Sequence, residues 1–170
     1  LYAHASLEAE PSSGGRQMSC HFGTRTLDEN GNWLDLTSLK NSSSDVSPTA
    51  SQMPRLLGLA YASKLFRQNK ALHGFSGFSR NGNEIAFGTI GNASTSEGMF
   101  FETLNAAGVL QVPMVVAVWD DGFGISVPQE FHTTKGSISE ALLGLQRTDT
   151  EKGFEILRVK GRDYEALNQA

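Results

Sequence analysis

The sequence has little cysteine, no long apolar run and no cluster of basic residues. A single cysteine, Cys20, excludes an internal disulfide and is typical of a protein from a reducing compartment. No stretch reaches the roughly 18 apolar residues of a membrane-spanning helix. Lys and Arg number 14 against 18 Asp and Glu, for a net charge of −4. We therefore expect no membrane and no nucleic-acid partner.

Several catalytic and nucleotide-binding signatures are also missing. There is no G-x-G-x-x-G after a strand and no G-x-x-x-x-G-K-[ST], and GFSGF falls one glycine short of a hydrolase elbow. The four histidines are scattered, without a second His or Cys at metal-ligand spacing, and are better interpreted as surface or hydrogen-bonded groups than as zinc ligands: His4, His21, His73 and His132. The amino terminus has no basic segment before an apolar run, so we expect no signal peptide, and it begins without Met on helix-like residues.

The remaining pattern predicts an α/β fold. SQMPRLLGLAYASKLFRQ predicts a helix with a broad apolar face, on which Leu56 and Ala60 lie beside Tyr61 and Leu65. EIAFGTIG and VPMVVAVW predict strands, and STSEGMFFETLNAAGVL predicts the helix between them, with a cap at Ser94, Thr95 or Ser96. The second strand has no polar residue, which favours a parallel sheet with helices on both faces. GFEILRVKG predicts a third strand, and Asp163 the N-cap of a final helix.

Polar groups follow the two predicted strands where each ends. Asn92 follows the first in IGNAS, and Asp121 follows the second in WDDGFG. Carboxyl ends of neighbouring parallel strands share the edge where α/β proteins bind ligands, and the helix start offers N–H groups to a diphosphate. One carboxylate, one amide oxygen and one backbone carbonyl suffice for Mg²⁺. The alternative is a tight turn with a capping Asn and an unrelated acidic surface turn, and spacing leaves both open.

Four segments resemble, in order, successive parts of one enzyme subunit: GRQMSCHFG, SPTASQMPRLLGLAYASK, GNASTSEGMFFETLNAAGVLQVPMVV and DDGFGISVP. The chain resembles the alpha subunit of thiamine-diphosphate-dependent 2-oxo acid dehydrogenases, the decarboxylating first component, of the branched-chain (2-oxoisovalerate) type. It also resembles the alpha half of a fused alpha/beta chain. The resemblance implies a thiamine-diphosphate-binding fold in which residues 1–170 form a single diphosphate-binding domain core. It implies a fragment truncated at both ends.

The resemblance implies cofactor roles at particular positions. The side chains of Asn92 and Asp121 and the backbone oxygen of Phe123 would hold Mg²⁺. Cofactor contacts are expected from Ser47, Thr49, Gly91, Ala93 and Ser94, the first two near the aminopyrimidine or thiazolium end. A structural K⁺ of some members is expected at Val46, Pro48, Ser51 and Gln52. His21 is expected to support the groups that touch the substrate or to face the substrate itself.

The sequence departs from the family at the metal site in a reciprocal way. The family's carboxylate is an amide at Asn92, and its amide is a carboxylate at Asp121. One acid and one amide therefore remain, and we interpret the pair as an exchanged but competent metal site. No catalytic residue is assigned within the segment. The resemblance implies that the family's diphosphate-binding Tyr and Arg lie before Leu1 and that its catalytic loop His lies after Ala170. It implies that the Glu that activates the cofactor belongs to the beta half.

The function implied by the resemblance is decarboxylation of a 2-oxo acid and transfer of the acyl group to lipoamide. Expected partners are a beta subunit or fused beta half and a lipoyl-bearing acyltransferase component, in a dimer or alpha2beta2 assembly, with the isolated segment inactive. The expected location is the bacterial cytoplasm or the mitochondrial matrix. Residues 129–152 resemble the start of the family's mobile loop region. Two alternatives stay open: a non-catalytic scaffold paralogue, and a thiamine enzyme of transketolase or decarboxylase type.

Overall fold

The structure is a computed structural model that describes residues 23–38, 41, 43 and 47–170. It has helices α1 (Gln52–Gln68), α2 (Gly98–Leu110), α3 (Ile138–Ala141) and α4 (Tyr164–Gln169), and strands β1 (Ala86–Gly91), β2 (Met114–Trp119), β3 (Phe123–Gly124) and β4 (Val127–Pro128). The α/β class is confirmed. Within the described ranges, no helix is both long and apolar enough to cross a membrane.

Strands β1 and β2 form a two-stranded parallel sheet with α2 as the connection. The N–H of Ala86 donates to the carbonyl of Pro113 (3.0 Å), and the N–H of Asn92 donates to the carbonyl of Trp119 (3.1 Å). The partners advance together along both strands, which is the parallel arrangement. Strands β3 and β4 form a separate antiparallel hairpin, in which Gly124 pairs with Val127.

The prediction that helices cover both faces of the sheet is wrong for the part of the chain that the structure describes. Side chains alternate between covered and exposed along β1. Phe87 is 65% exposed and Val115 is 47% exposed, although both are large and apolar. An all-apolar run such as β2 therefore does not establish that both faces of its sheet are covered here.

The chain divides into two compact units, and the boundary crosses both strands of the parallel sheet. The first unit contains the described residues up to Gly88 together with Val112–Val115, and the second contains Thr89–Gln111 and Val116–Ala170. The expectation of a single domain core stays a prediction.

Helix α1 provides the buried side of the first unit. Its buried side chains recur at helical spacing along one face: Met53, Leu56, Ala60 and Ser63. A Cβ at Gly88 would lie 2.7 Å from a methyl carbon of Leu56, so the glycine lets β1 approach the helix closely. The broader apolar face predicted from the sequence is only partly right, because Tyr61 is 40% and Leu65 is 38% exposed.

A loop of the first unit is bound tightly to α1 through Gly82. The carbonyl of Gly82 accepts hydrogen bonds from the Ser63 hydroxyl (3.1 Å) and from Nε (3.0 Å) and Nη2 (2.6 Å) of Arg67. The residue has φ +73, and an added Cβ would collide with the Ser63 carbonyl oxygen and the Arg67 backbone nitrogen. Glycine is required here both by its conformation and by the space available.

The same loop is closed by Glu84. One carboxylate oxygen accepts from the Ser79 hydroxyl (2.7 Å) and the other from the N–H of Arg80 (2.6 Å). Partial burial would raise the pKa of Glu84, but these hydrogen bonds to the charged form outweigh it, and the pKa is lowered. The charged form of Glu84 is therefore a stabilising part of the loop.

Helix α2 provides the buried side of the second unit through Phe100, Thr103, Leu104 and Ala107. The predicted third strand is wrong: Phe154 makes an isolated bridge to Gln146, and residues 155–160 form no strand. The β-like composition finds no neighbouring strand in the described unit, so the ladder does not propagate. The predicted final helix is confirmed as α4, and Asp163 caps it by accepting from the N–H of Ala166 (3.0 Å).

The segment 129–152 contains 3₁₀ turns at Gln129–Phe131, Thr134–Gly136 and Leu143–Leu145, with α3 between the last two. Ser137 caps α3 by accepting from the N–H of Glu140 (3.3 Å). The stretch SISEALLGLQR therefore contains α3 and the 3₁₀ turn that follows it. The mobility expected of this segment stays a prediction.

Candidate functional site

The turn after β1 connects the strand to α2 through a short 3₁₀ segment, Ala93–Ser96. The carbonyl of Asn92 accepts from the N–H of Thr95 (3.2 Å) and from its hydroxyl (2.5 Å), and both side chains are only 3% exposed. The sequence correctly predicts a strand, a turn and a helix. The predicted caps are wrong, because the 3₁₀ segment intervenes and Glu97 is the N-cap of α2, with no side-chain capping bond.

The carboxyl ends of β1 and β2 lie side by side in the second unit. The hydrogen bond from the Asn92 N–H to the Trp119 carbonyl joins the residue after β1 to the last residue of β2. The prediction that both strands end at the same edge is therefore confirmed. Asp120 and Asp121 are the next residues along the chain after β2.

The two aspartates after β2 differ in how their oxygens are used. Asp120 accepts from the N–H of Gly122 (3.0 Å) through one oxygen and from Nε2 of Gln129 (3.1 Å) through the other. Asp121 accepts from the N–H of Phe123 (3.0 Å) through Oδ1. In the described part of the chain its Oδ2 makes no hydrogen bond, and the residue is exposed. Asp121 is thus the carboxylate with capacity for a cation.

The β3–β4 hairpin packs against the turn after β1. A Cβ at Gly124 would lie 2.5 Å from the Ala93 Cβ and 3.6 Å from Nε2 of His132. The Ser96 hydroxyl donates to the carbonyl of His132 (2.7 Å). The turn after β1, the hairpin and His132 therefore lie close together. The absence of a side chain at Gly124 is what permits the approach.

Two buried polar atoms at this junction have no hydrogen-bond partner within the described ranges: Nδ2 of Asn92 and Nε2 of His132. An unpaired buried donor typically costs about 1–3 kcal/mol, so such atoms point to a partner other than the described residues. Rotation of the Asn92 amide by 180° would present Oδ1 at the same position. The site therefore fits a ligand with oxygen atoms or a cation that takes an amide oxygen.

No cluster of three or more His, Cys, Asp or Glu suited to a metal ion occurs among the described residues. A Mg²⁺ ion at this edge would therefore depend on amide and carbonyl oxygens in addition to Asp121. Phe123, whose backbone oxygen is one of the predicted ligands, lies in β3. Gly91 is the last residue of β1, and Ser94 lies in the 3₁₀ segment, where its carbonyl accepts from the N–H of Glu97 (3.2 Å).

The other predicted site residues lie in the first unit or outside the described ranges. Ser47, Pro48 and Thr49 are exposed. The carbonyl of Pro48 accepts from the N–H of Ser51 (3.1 Å), and Ser51 is the N-cap of α1 without a side-chain capping bond. Gln52 is the first residue of α1, whereas Val46 and His21 are outside the residues that the structure describes.

Sequence reasoning missed Gly124 and His132. The second glycine of DDGFGISVP is a signal for Gly124, because a glycine in a strand often marks close approach of another part of the backbone. His132 carries no comparable signal, since it follows the turn residues by a long stretch of chain. It was interpreted only as a surface or hydrogen-bonded histidine.

The fold and the site define the class of protein: an α/β protein with a polar site at the carboxyl ends of parallel strands, between a strand-to-helix turn and an acidic loop. A family model described as the dehydrogenase E1 component matches residues 13–170. The chain belongs to the dehydrogenase E1 component family. This is an enzyme family, and the chain is the alpha-subunit type of E1 component of 2-oxo acid dehydrogenases.

Individual relatives agree with this assignment. The 2-oxoisovalerate dehydrogenase subunit alpha of Bacillus subtilis is 28% identical over 167 residues, which is 95% of this chain and 40% of that protein. The mitochondrial 2-oxoisovalerate dehydrogenase subunit alpha 1 of Arabidopsis thaliana is 28% identical over 156 residues, 92% of this chain and 26% of that protein. The pyruvate dehydrogenase E1 component subunit alpha of Acholeplasma laidlawii is 30% identical over 134 residues, 76% of this chain and 33% of that protein. The chain thus spans less than half the length of these relatives, and the resemblance predicted from the four motifs is confirmed.

Proposed function

We propose that this chain is the Mg²⁺- and thiamine-diphosphate-binding part of a 2-oxo acid dehydrogenase that decarboxylates a 2-oxo acid and transfers the acyl group to lipoamide. The observation that carries the proposal is the buried Asn92 amide, whose Nδ2 has no partner among the described residues. It lies where the ends of β1 and β2 are joined by a hydrogen bond. Family membership of this chain supports the same cofactor.

The proposed metal ligands are the side-chain oxygens of Asn92 and Asp121 and the backbone oxygen of Phe123. Oxygen ligands of mixed charge are typical of Mg²⁺ bound to a diphosphate. Asp121 supports this role because, in the portion of the chain that the structure describes, only its Oδ1 is engaged, by the N–H of Phe123. That bond also orients the carboxylate in its loop. The exchange of acid and amide between positions 92 and 121 keeps one negative charge among the ligands.

The proposed diphosphate contacts come from Gly91, Ala93 and Ser94 in the turn before α2. The close packing of Ala93 against Gly124 supports this role because it fixes the turn against the hairpin. The N-cap residue of α2, Glu97, makes no side-chain capping hydrogen bond, so its carboxylate leaves the first N–H groups of the helix to another acceptor. These groups bind and orient the cofactor, and none of them transfers a proton.

The remaining assignments belong to the first unit. We propose that Ser47 and Thr49 contact the organic part of the cofactor, and their exposure supports this role. The proposed K⁺ loop contains Val46, Pro48, Ser51 and Gln52. The Ser51 hydroxyl supports it, because this hydroxyl is not used to cap α1.

Thiamine diphosphate supplies, when bound, the carbanion chemistry by which a 2-oxo acid loses CO₂. The proposed assembly includes a beta subunit or beta half and a lipoyl-bearing acyltransferase. The relatives' names support a branched-chain 2-oxo acid as substrate, with pyruvate as the second candidate. The described residues of this chain anchor the cofactor electrostatically and orient it.

Calorimetric titration of the full-length protein with thiamine diphosphate and Mg²⁺ tests the proposal. We expect Mg²⁺-dependent binding, which Asp121→Ala weakens by about 10- to 100-fold through loss of a charged ligand. Asp149→Ala removes the same charge from an exposed position of the same unit and is the matched control. The double exchange Asn92→Asp with Asp121→Asn should retain binding.

Each contrary result has a definite meaning. Absence of binding at millimolar cofactor would favour a non-catalytic scaffold. Unchanged affinity of Asp121→Ala would refute the ligand assignment, and loss of binding in the double exchange would refute the reciprocal substitution. Binding together with turnover of 2-oxo acids but no acyl transfer to a lipoyl domain would favour a thiamine enzyme of the transketolase or decarboxylase type.

A further inference from the structure

We propose that His132 is a cofactor-binding residue of this site, whose Nε2 donates a hydrogen bond to an anionic oxygen of the diphosphate. The inference rests on the proposed function, because it names a further residue for the same ligand. His132 lies outside the four motifs quoted for the family resemblance, in the segment 129–152. The structure singles it out through its position, its buried nitrogen and its ring partner.

One hydrogen bond and one close approach place His132 beside the turn after β1. Its backbone carbonyl accepts from the Ser96 hydroxyl at 2.7 Å. Its Nε2 lies 3.6 Å from the position that a Cβ at Gly124 would occupy, and that position is 2.5 Å from the Ala93 Cβ. The imidazole therefore lies next to the segment proposed to cradle the diphosphate.

The ring nitrogens are in different situations. Nδ1 lies 2.9 Å from the Thr133 hydroxyl oxygen. When this hydroxyl donates to Nδ1, the neutral ring carries its proton on Nε2, which becomes a donor. Nε2 is buried and has no partner among the described residues. A buried donor without a partner is the group that an incoming anion would satisfy.

A second buried side-chain nitrogen without a partner among the described residues lies at the same junction. Nδ2 of Asn92 is also a donor and also buried. In the part of the chain described, these are the only two buried side-chain nitrogen or oxygen atoms without a hydrogen-bond partner. Nε2 of His132 lies beside Gly124, and Asn92 directly precedes Ala93. If Asn92 rotates to give its oxygen to Mg²⁺, Nε2 of His132 remains the donor for a diphosphate oxygen.

The test compares ligand affinity in the full-length protein and its variants, with inorganic pyrophosphate and thiamine diphosphate as probes, each with Mg²⁺. We expect His132→Leu to weaken both probes by about 10- to 100-fold, because it removes a hydrogen bond to a charged group. His132→Gln keeps an N–H donor of similar reach and should bind within about threefold of the wild type. His73→Leu is the matched control, since His73 is an exposed histidine of the first unit.

Thermal unfolding provides a readout that a merely structural role would not produce. Without ligand, His132→Leu should unfold at or above the wild-type temperature, because it removes an unpaired buried nitrogen. With Mg²⁺ and pyrophosphate, it should lose most of the wild-type increase in unfolding temperature. Should the Leu variant fail to fold, His132→Asn keeps a polar side chain but cannot reach as far, and it should weaken binding in the same way.

The outcomes separate the two proposals. If the wild type binds neither probe, the proposed function fails and this inference fails with it. If the wild type binds both probes and His132→Leu or His132→Asn binds equally well, only the role of His132 is overturned. Equal weakening by the His73 control would also overturn it, because the effect would then not be local to the site.

Discussion

Gly82 gives the sharpest prediction about the fold, because both its conformation and its surroundings exclude a side chain. Alanine at φ +73 costs about 1–2 kcal/mol in backbone strain. Its Cβ would also collide with the backbone of Ser63 and Arg67, so the loop must move. This movement would lengthen or break the three hydrogen bonds that the Gly82 carbonyl accepts from these two residues. Each of these bonds contributes about 1 kcal/mol. We expect Gly82→Ala to lower the free energy of unfolding by about 3–5 kcal/mol.

Two other glycines of the same unit separate the contributions. Gly31 has φ +83, but no atom of the described residues lies within 4 Å of an added Cβ, so Gly31→Ala should cost only the backbone strain, about 1–2 kcal/mol. Gly58 lies inside α1 with open space around it, so Gly58→Ala should stabilise by about 0.5–1 kcal/mol. Urea unfolding of the full-length protein, followed by circular dichroism, measures all three variants. A cost at Gly82 no larger than that at Gly31 would refute the argument from collision, and a stability equal to that of the wild type would refute it altogether.

Three further predictions concern pH, the site and the loop after it. Because the pKa of Glu84 is lowered in the folded protein, its carboxylate contributes fully to the free energy of unfolding above the usual pKa near 4.5. That contribution is lost as pH falls through the lower folded pKa. When the free energy of unfolding is measured as a function of pH, the difference between wild type and Glu84→Gln should therefore shrink in that range. A difference that stays constant would contradict the stabilising role of the charged Glu84. Gly124→Ala should weaken Mg²⁺-dependent cofactor binding at least about 10-fold by displacing Ala93, whereas Gly144→Ala, where a Cβ meets open space, should leave it unchanged in the same calorimetric assay. Limited trypsin digestion of the full-length protein should cut first after the exposed Lys135 in the segment 129–152, and more slowly once the proposed beta partner is bound; an earlier cut elsewhere would argue against mobility there.

The sequence predicts the elements that depend on local pattern, and it fails where pairing or close packing decides. Helix α1 and the Asp163 cap follow from residues within one helix, and both are confirmed. GFEILRVKG has the composition of a strand, but a strand also requires a neighbour, and in the described part of the chain Phe154 bridges only to Gln146. Composition cannot reveal that absence, because a ladder is a contact between distant segments.

In the candidate site, too, the features set by local pattern could be predicted and those set by contacts between distant segments could not. The shared edge of β1 and β2 could be expected from the parallel pattern, and the bond from Asn92 to Trp119 confirms it. The late start of α2 could not, because Ala93–Ser96 satisfies its own hydrogen bonds in a 3₁₀ turn before the helix begins. The place of His132 depends on how the hairpin folds back, which no local spacing reports.

The bond between the Asn92 N–H and the Trp119 carbonyl has a consequence for how this site can change in evolution. Both of its atoms belong to the main chain, so the location of residue 92 does not depend on which side chain it bears. Asp121 is likewise anchored to its own loop through the N–H of Phe123, a bond that an asparagine oxygen could also accept. A lineage could therefore trade acid for amide at one position and later restore the charge at the other without rebuilding the frame. The proposed ligand side chains could therefore be exchanged while the backbone of the site stays in place.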